Sequence, residues 1–384
     1  MGARRPIMEK SKSGNVSKRK QPGLKVAVVG ATGAVGRELL SILEVRKFPI
    51  RELIVFGSKR SLGKAILWKE KSHRCGVLEQ GCFDGVDVAF FDASDAVSKE
   101  WVPHAADSGA WVIDNSATFR LEDDIFLLIP EVNGSLLETR LKARLGARFK
   151  NTPFSARERI LAGPNCSTVQ MVMALKPIQD HWGIKRVVVS TYQSTSGAGS
   201  AAMKELSTQT VGMFNQKPVT PKAFTHQIAF NCIPHIGSFK EDGNTSEELK
   251  MIAESKKILG MPGLRISATA IRVPTFSCHA ESVNIECKKP FEVKDVKKVL
   301  RRHPGIVLQD DPNKNIYPLG VTSGDDLVEG ATGRDAVYVG RIRRDPSVKH
   351  GLNLWVVSDN LRKGAALNAV QVGEILLKTL FSAR

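Results

Sequence analysis

The chain has 384 residues, of which 42% are hydrophobic and 25% are charged, a composition typical of a soluble globular protein with more than one domain. No apolar run reaches the roughly 18 to 20 residues of a membrane-spanning helix, and residues 1–23 lack the apolar stretch of a secretory signal. These features argue against a membrane protein, and we expect no membrane partner.

The formal net charge of +17 raises the question of nucleic-acid binding. Residues 1–23 hold seven Lys or Arg against one Glu, so this segment contributes +6, and we expect it to be a disordered basic tail. The other +11 is spread along the chain without a basic stripe or interleaved aromatic residues. We therefore expect no nucleic-acid partner, since a protein that binds phosphates and carboxylates is also basic.

The six cysteines, at positions 75, 82, 166, 232, 278 and 287, form no C-x-x-C pair and no zinc-like spacing with histidine. A chain of this length does not need disulfides for stability. We predict reduced thiols, a cytoplasmic location and no bound metal.

The first predicted strand, LKVAVVG (24–30), is rich in β-branched residues and leads into a helix with apolar residues at helical spacing. Between strand and helix, Gly30, Gly33 and Gly36 form G-x-x-G-x-x-G, which lets a pyrophosphate approach the helix N-terminus. The spacing differs from the common G-x-G-x-x-G. Glycines in such a turn can also be purely structural.

The second predicted strand, ELIVFG (52–57), ends without the acidic residue that NAD enzymes usually place there for the ribose. The sequence continues instead as Ser58-Lys59-Arg60-Ser61. Two cations and two hydroxyls favour the 2′-phosphate of NADP. The alternative is a solvated basic turn.

Two more apolar strands, VDVAFF (86–91) and AWVID (110–114), alternate with helical segments and predict a doubly wound parallel sheet. Beyond about residue 160, RVVVSTYQSTSG, LRISATAIRVP and ESVNIEC predict the strands of an α+β domain with a mixed or antiparallel sheet. The closing segment RKGAALNAVQVGEILLKTL predicts an amphipathic helix that must dock on the protein. We expect an α/β protein, with a Rossmann-type domain followed by an α+β domain.

In GPNCSTVQM (163–171), Cys166 directly precedes a predicted helix whose apolar face is outlined by Val169, Met173, Leu175 and Ile178. A thiol at a helix N-terminus meets the positive end of the dipole, so we expect its pKa to fall toward the thiolate. A small buried apolar cysteine is the other interpretation.

Arg272 and His279 lie seven residues apart in IRVPTFSCHAE. A continuous strand would put them on opposite faces, but Pro274 interrupts the strand, so both can reach one cleft. His279 is a candidate proton shuttle and Arg272 a candidate carboxylate ligand, against a core histidine and a surface arginine. Cys278 is a rival nucleophile, although its side chain should point away from that of His279.

Ten stretches of the sequence resemble the bacterial type of aspartate-semialdehyde dehydrogenase, from about residue 24 to the C-terminus. They are VAVVGATGAVGREL, SKRSLGK, VIDNSATFR, PEVN, GPNCST, STYQSTSGAG, TSEELK, ATAIRVPTFSCHAESVNIE, VGRIRRD and LWVVSDNLRKGAALNAVQ. The resemblance implies an NADP-binding Rossmann domain at residues 24–160, joined by a closing helix at 360–384. It also implies a catalytic and dimerisation domain at 161–359, in a homodimer or homotetramer.

The activity implied is reversible, NADPH-dependent reductive dephosphorylation of L-4-aspartyl phosphate to L-aspartate 4-semialdehyde and phosphate, toward lysine, methionine, threonine and diaminopimelate. Cys166 would be the nucleophile, His279 the general acid/base, and Gln193 the group that orients the acyl carbonyl. Arg272 would bind the α-carboxylate and Glu247 the α-amino group. The phosphate set would be Arg120, Asn165 and Lys250.

For the cofactor, the resemblance implies pyrophosphate contacts along the glycine turn, from Gly30, Thr32, Gly33, Ala34, Val35 and Gly36. The 2′-phosphate would meet Ser58, Arg60 and Ser61, and the nicotinamide would lie near Gly197 and Asn360. Three departures concern this region: Leu62 replaces a commoner Ala, GPNC replaces NPNC, and FDASDAVS replaces SAGGSVS. The last brings Asp92 and Asp95 near the cofactor cleft.

The nearest enzymatic alternative is N-acetyl-γ-glutamyl-phosphate reductase, which performs the same chemistry on an acylated substrate, where an amine partner such as Glu247 would be out of place. Another alternative is a non-catalytic relative that binds NADP or nucleic acid. The candidate set of Cys166, Gln193, Arg272 and His279 argues against it.

Overall fold

The computed structural model describes residues 23–146, 152–324 and 327–381. The predicted disordered tail at residues 1–23 lies outside these residues except for Gly23. Residues 382–384, at the end of the predicted closing helix at 360–384, also lie outside them. No helix in the described part of the chain is long and apolar enough to cross a membrane.

The described part of residues 24–162 alternates strands and helices. In chain order they are β1 (Leu24–Val29), α1 (Ala34–Val45), β2 (Ile50–Phe56), β3 (Ala65–Trp68), β4 (Lys71–Arg74), β5 (Val88–Phe91), α2 (Asp95–Asp107), β6 (Trp111–Asp114), β7 (Phe126–Leu127), α3 (Pro130–Leu145) and β8 (Ile160–Ala162). Apart from the β3–β4 hairpin, the strands form one parallel sheet in the order β2-β1-β5-β6-β8-β7. The predicted doubly wound parallel sheet is confirmed.

The second half of the chain forms a mixed sheet with helices against it. Its elements are α4 (Cys166–Trp182), β9 (Ile184–Gln193), α5 (Ser200–Phe214), α6 (Ser246–Leu259), β10 (Arg265–Arg272), β11 (His279–Cys287), α7 (Val293–Arg302), β12 (Ile306–Leu308), β13 (Val337–Asp345), β14 (Gly351–Ser358) and α8 (Leu367–Leu376). The strand order is β10-β9-β11-β14-β13-β12, with parallel pairs at both edges and antiparallel pairs between them. The predicted α+β architecture with a mixed sheet is confirmed.

Helix α4 packs against the mixed sheet and against α3, α6 and α7. The sequence predicted one apolar face, but every residue from Ser167 to Leu175 is buried. The reason is that α4 shares a single hydrophobic core with strands of both sheets, including Ala89 of β5 and Val283 of β11. A helix covered on both sides buries its polar residues too, so the one-face prediction was wrong.

Helix α8 returns to the parallel sheet. Its residues Leu367, Val370 and Leu376 join the core formed by β1 and the inner face of α1. A π-helical turn at Arg362–Ala366 precedes α8. This turn carries the RKGAA residues to the start of α4, where Gly364 packs against Cys166.

Candidate active site

The glycine turn between β1 and α1 has the geometry of an anion-binding turn. Gly30 has a φ of +88°, and a Cβ atom on it would lie 1.9 Å from the backbone oxygen of Asp92. A Cβ atom on Gly36 would lie 2.3 Å from the backbone oxygen of Gly30. The N-cap of α1, Gly33, offers no side-chain cap, and the first helical turn has no acidic residue. This helix end without a side-chain cap therefore fits a pyrophosphate, although the Gly36 N–H already hydrogen-bonds the Asp92 carboxyl group.

The basic turn after β2 lies beside the glycine turn. Ser58 and Arg60 are exposed, whereas Ser61 is buried and its Oγ lies 3.1 Å from Thr32 Oγ1. This contact links the two turns that the sequence assigned to the cofactor. Arg60 precedes Ser61 in this turn and is exposed, so its guanidinium is available to a phosphate.

A cleft of about 270 Å³ runs from the glycine turn to the start of α4. Its lining includes Ala34, Val35, Asp92, Asn115, Arg120, Asn165, Cys166, Gly197 and Asn360. A larger groove of about 870 Å³ lies along α5. We assign the site to the smaller cleft because it brings a thiol and an anion-binding turn together.

Cys166 is the first residue of α4, and the N-cap Asn165 accepts a hydrogen bond from the Ser167 N–H at 2.9 Å. The thiol is open to the cleft but otherwise enclosed by protein. Burial, supported by the charge of Glu247, raises the pKa of the Cys166 thiol to about 12, while Arg272 and Arg120 act in the opposite direction. The direction is opposite to the lowering that the helix N-terminus predicted, because burial is the largest cause of the shift.

His279 begins β11 and is fully buried. The backbone N–H of Ser194 donates to His279 Nδ1 at 3.1 Å, and Ser194 Oγ lies 3.2 Å from the same nitrogen. Within the described chain, Nε2 has no hydrogen-bond partner. Burial, with the charge of Arg272, lowers the pKa of His279 to about 3, so the ring is neutral in the ligand-free protein.

Arg272, at the end of β10, and His279 both have side-chain atoms close to Gly197. A Cβ atom on Gly197 would lie 3.1 Å from Arg272 Nη1 and 3.1 Å from His279 Nε2. Arg272 Nη1 also donates to the backbone oxygen of Ser194 at 2.7 Å. The break at Pro274 therefore lets the two residues reach one point, despite their odd spacing.

The rival nucleophile Cys278 lies elsewhere. Its Sγ is 3.2 Å from Thr332 Oγ1, and it packs with Tyr338 and Val357 in a separate small core. Burial raises the pKa of this thiol to about 12 as well. Cys278 does not line the cleft, as predicted, but strand alternation is not the reason, because Cys278 precedes β11 and has a φ of +67°.

Glu247, on α6, connects two other candidates. Its Oε1 accepts hydrogen bonds from Asn165 Nδ2 at 2.9 Å and from Gln193 Nε2 at 3.2 Å. All three side chains are buried. Lys250, one helical turn further along α6, is half-buried. No hydrogen bond or ion pair of the described residues joins it to Glu247, Asn165 or Gln193.

Arg120 is held by a residue that the sequence analysis did not single out, Glu254. Arg120 Nη1 donates to Glu254 Oε1 at 2.8 Å, and Glu254 Oε2 accepts the N–H of Asn165 at 2.7 Å. Arg120 Nη2 donates to the backbone oxygen of Asn115. The signal was present in the sequence, because Glu254 lies seven residues, about two helical turns, after Glu247 and so on the same face of α6.

Two family models match the chain. The NAD binding domain of semialdehyde dehydrogenases matches residues 25–140, which supports the predicted nicotinamide cofactor, and the dimerisation domain of the same family matches residues 175–363. The aspartate-semialdehyde dehydrogenase of Aquifex aeolicus (strain VF5) is 46% identical over 359 residues, which cover 93% of this chain and 98% of that protein.

Solved structures of aspartate semialdehyde dehydrogenases are also similar to this chain. Aspartate semialdehyde dehydrogenase II of Vibrio cholerae, complexed with ASA, has a TM-score of 0.84 and 42% identity, covering 94% of this chain and 99% of that one. The Candida albicans enzyme with NADP has a TM-score of 0.71 and 25% identity, covering 93% and 99%. Because both family models match and the Aquifex aeolicus enzyme is 46% identical over 93% of the chain, the chain belongs to the aspartate-semialdehyde dehydrogenase family.

Proposed function

We propose that the chain converts L-4-aspartyl phosphate to L-aspartate 4-semialdehyde and phosphate, reversibly and with NADPH, through a thioester on Cys166. The reaction would serve lysine, methionine, threonine and diaminopimelate synthesis in the cytoplasm. The observation that carries the proposal is the position of Cys166 in the cleft that also contains the glycine turn and Gly197, the meeting point of Arg272 and His279.

In the first step, Cys166 Sγ forms a bond to the acyl carbon, and the bond from that carbon to the phosphate oxygen breaks. Phosphate leaves with the electron pair, and the thiol proton passes to His279 Nε2. Because the free thiol has a raised pKa, attack depends on this transfer. Nε2 can accept this proton only in the tautomer that carries its hydrogen on Nδ1, and Ser194 Oγ, 3.2 Å away, can accept a hydrogen bond from that Nδ1–H.

In the second step, the reduced nicotinamide supplies a hydride to the thioester carbon when it is bound. The resulting oxyanion lies at the N-terminus of α4, where backbone N–H groups and the Gln193 amide stabilise it. His279 then returns its proton to Cys166 Sγ as the carbon–sulfur bond breaks and the aldehyde leaves.

The substrate would be recognised by opposite charges. The Arg272 guanidinium fits a carboxylate, and Glu247 keeps Oε2 for an amine while Oε1 holds Asn165 and Gln193. Arg120, Asn165 and Lys250 would meet the phosphate. The ion pair to Glu254 fixes the orientation of Arg120 and leaves its Nε without a partner in the described chain.

For the cofactor, we favour NADP over NAD. The pyrophosphate would lie on the turn from Gly30 to Gly36, and the 2′-phosphate would lie against Ser58, Arg60 and Ser61. Gly197 and Asn360 line the same cleft nearer to Cys166, as the nicotinamide end requires.

For the assembly, we propose a homodimer through the outer face of the mixed sheet, with a homotetramer as the alternative. A cleft of about 500 Å³ on this face is lined by Tyr317, Arg341, Arg343 and Trp355, among others. The residues that match the dimerisation model include this sheet. Light scattering after size exclusion measures the mass directly.

The reaction and substrate are tested by following phosphate-dependent reduction of NADP with aspartate semialdehyde and N-acetylglutamate semialdehyde in parallel. Turnover with the first alone is expected. Turnover with the second would keep the cysteine chemistry but overturn the roles of Glu247 and Arg272. With neither substrate active, the chain would be a non-catalytic relative, and removal of residues 1–23 would then test whether nucleic acid binds to the basic tail.

A further inference from the structure

The cleft contains one carboxyl group close to the anion-binding turn. Asp92 follows β5, which lies between β1 and β6 in the parallel sheet, and its side chain lines the cleft together with Ala34 and Val35. A Cβ atom on Gly33 would lie 3.9 Å from Asp92 Oδ2. This oxygen therefore stands beside the helix end that fits a pyrophosphate.

No ion pair of the described residues involves Asp92, although hydrogen bonds from the Asn115 side chain and the Gly36 N–H favour its charged form. From β6, Asp114 adds a second negative charge, although Ser98 and Ser116 donate hydrogen bonds to it. Arg120 lines the same cleft but is paired with Glu254, and Cys166, from α4, presents a thiol whose pKa is raised.

The other elements around the cleft add little charge. From α1, the Gly36 N–H hydrogen-bonds the Asp92 carboxyl group, and the charged Glu38 of that helix pairs with Arg362. The segment before α8 presents the neutral Asn360. Burial, together with Asp114, raises the pKa of Asp92 to about 6. A carboxyl group with this pKa changes its charge close to neutral pH.

This inference rests on the proposed dinucleotide site. We propose that Asp92 couples binding of the dinucleotide to uptake of one proton: the carboxylate and the pyrophosphate repel each other in the same cleft, and the carboxyl group is protonated as the cofactor binds. By linkage, the neutral form of Asp92 binds the cofactor more tightly. Affinity should therefore be highest at low pH and should fall as the pH rises above about 6.

The test measures the Kd of NADP by titration calorimetry from about pH 5 to about pH 8. It compares the natural chain with Asp92→Asn and with Asp92→Ser, the residue that the commoner SAGGSVS carries. The ratio of the natural Kd to the variant Kd should be close to one at the acidic end. It should rise by up to about tenfold per pH unit above pH 6. The 2′-phosphate of the cofactor titrates in the same way with each protein, so its effect on Kd cancels from this ratio.

Asp95→Asn is the matched control, because Asp95 is exposed and accepts the Ala117 N–H outside the cleft lining. It should behave like the natural chain. Calorimetry near pH 7 in two buffers with different ionisation enthalpies should report proton uptake that both Asp92 variants lack.

A Kd ratio that does not change with pH, or variants that bind more weakly at all pH values, would overturn the role of Asp92. Failure of every protein to bind NADP would instead overturn the proposed cofactor site.

Discussion

The glycine turn and the reactive centre face each other across one cleft, yet they are assembled in different ways. The turn lies within Gly30–Gly36, has no side-chain cap at Gly33 and has no acidic residue in the first helical turn. The reactive centre joins residues as distant in the sequence as Arg120 and His279, and it buries them. The turn thus favours an anion, whereas the Cys166 thiol and the His279 ring of the centre are neutral and must exchange a proton to react.

The largest expected effect is a loss of turnover that distinguishes the reactive centre from the glycine turn. Cys166→Ser should lower turnover by at least about 10⁴-fold, because the hydroxyl is a far weaker nucleophile, while NADP binding is retained because the turn is independent of the thiol. Cys232→Ser, at an exposed cysteine, is the control and should keep full activity. Equal activity in Cys166→Ser would remove Cys166 from the mechanism.

The protonation state of the reactive centre is tested by alkylation. Because the pKa of Cys166 is raised to about 12, only a small fraction is thiolate near neutrality, and that fraction grows with pH. Labelling of the Cys166 peptide by iodoacetamide, followed by mass spectrometry, should accelerate about tenfold per pH unit between about pH 7 and pH 9. A plateau near neutral pH would mean that the helix dipole outweighs burial after all.

The fold was readable from the sequence where a pattern is local. The β-branched run of β1, the glycine turn and the alternation in β11 each follow from neighbouring residues, and the structure contains them as predicted. The burial of α4 was not readable, since its covering by the mixed sheet and by helices distant in the sequence is a long-range property.

The same distinction applies to the site. The motif identified Cys166, but its pKa depends on desolvation by distant segments and on Glu247, 81 residues away in the sequence. Ser194 was missed because its role depends on a hydrogen bond to His279, whereas the spacing of Glu254 from Glu247 indicated a shared helix face but not the bond to Arg120.

A substitution in the basic turn after β2 should have an intermediate effect, on the preference for NADP over NAD. Arg60→Ala should raise the Kd of NADP by about tenfold, in line with the loss of one charge-assisted hydrogen bond, and leave the Kd of NAD unchanged. Lys59→Ala is the control for a simple change in net charge. If both cofactors weaken equally in Arg60→Ala, Arg60 does not contact the 2′-phosphate.

The smallest effect concerns a carboxyl group behind the reactive centre. Glu281 lies two residues after His279 on the same face of β11, is fully buried, and within the described chain neither of its oxygens has a hydrogen-bond partner. Burial raises its pKa well above the ordinary value, against a smaller opposing effect of Gln170. The folded protein therefore keeps a proton on Glu281 that the unfolded chain loses, and stability falls as the pH rises above about 4.5.

Glu281→Gln imitates the neutral acid, so its thermal midpoint at about pH 8 should exceed that of the natural chain by about 2 to 4 °C, and the difference should vanish near pH 4. Glu286→Gln is the contrast on the same strand, because Lys185 lowers the pKa of Glu286. It should reduce stability slightly at neutral pH. A lower midpoint for Glu281→Gln at pH 8 would show that Glu281 is ionised in the folded protein.

The central claim is that Cys166 forms the acyl intermediate, and mass spectrometry of the protein mixed with L-4-aspartyl phosphate without cofactor tests it most directly. The proposed mechanism predicts an aspartyl thioester on the peptide that contains Cys166, released by hydroxylamine and absent from Cys166→Ser. A protein that consumes the acyl phosphate when NADPH is added, but carries no acyl group on Cys166, would contradict it.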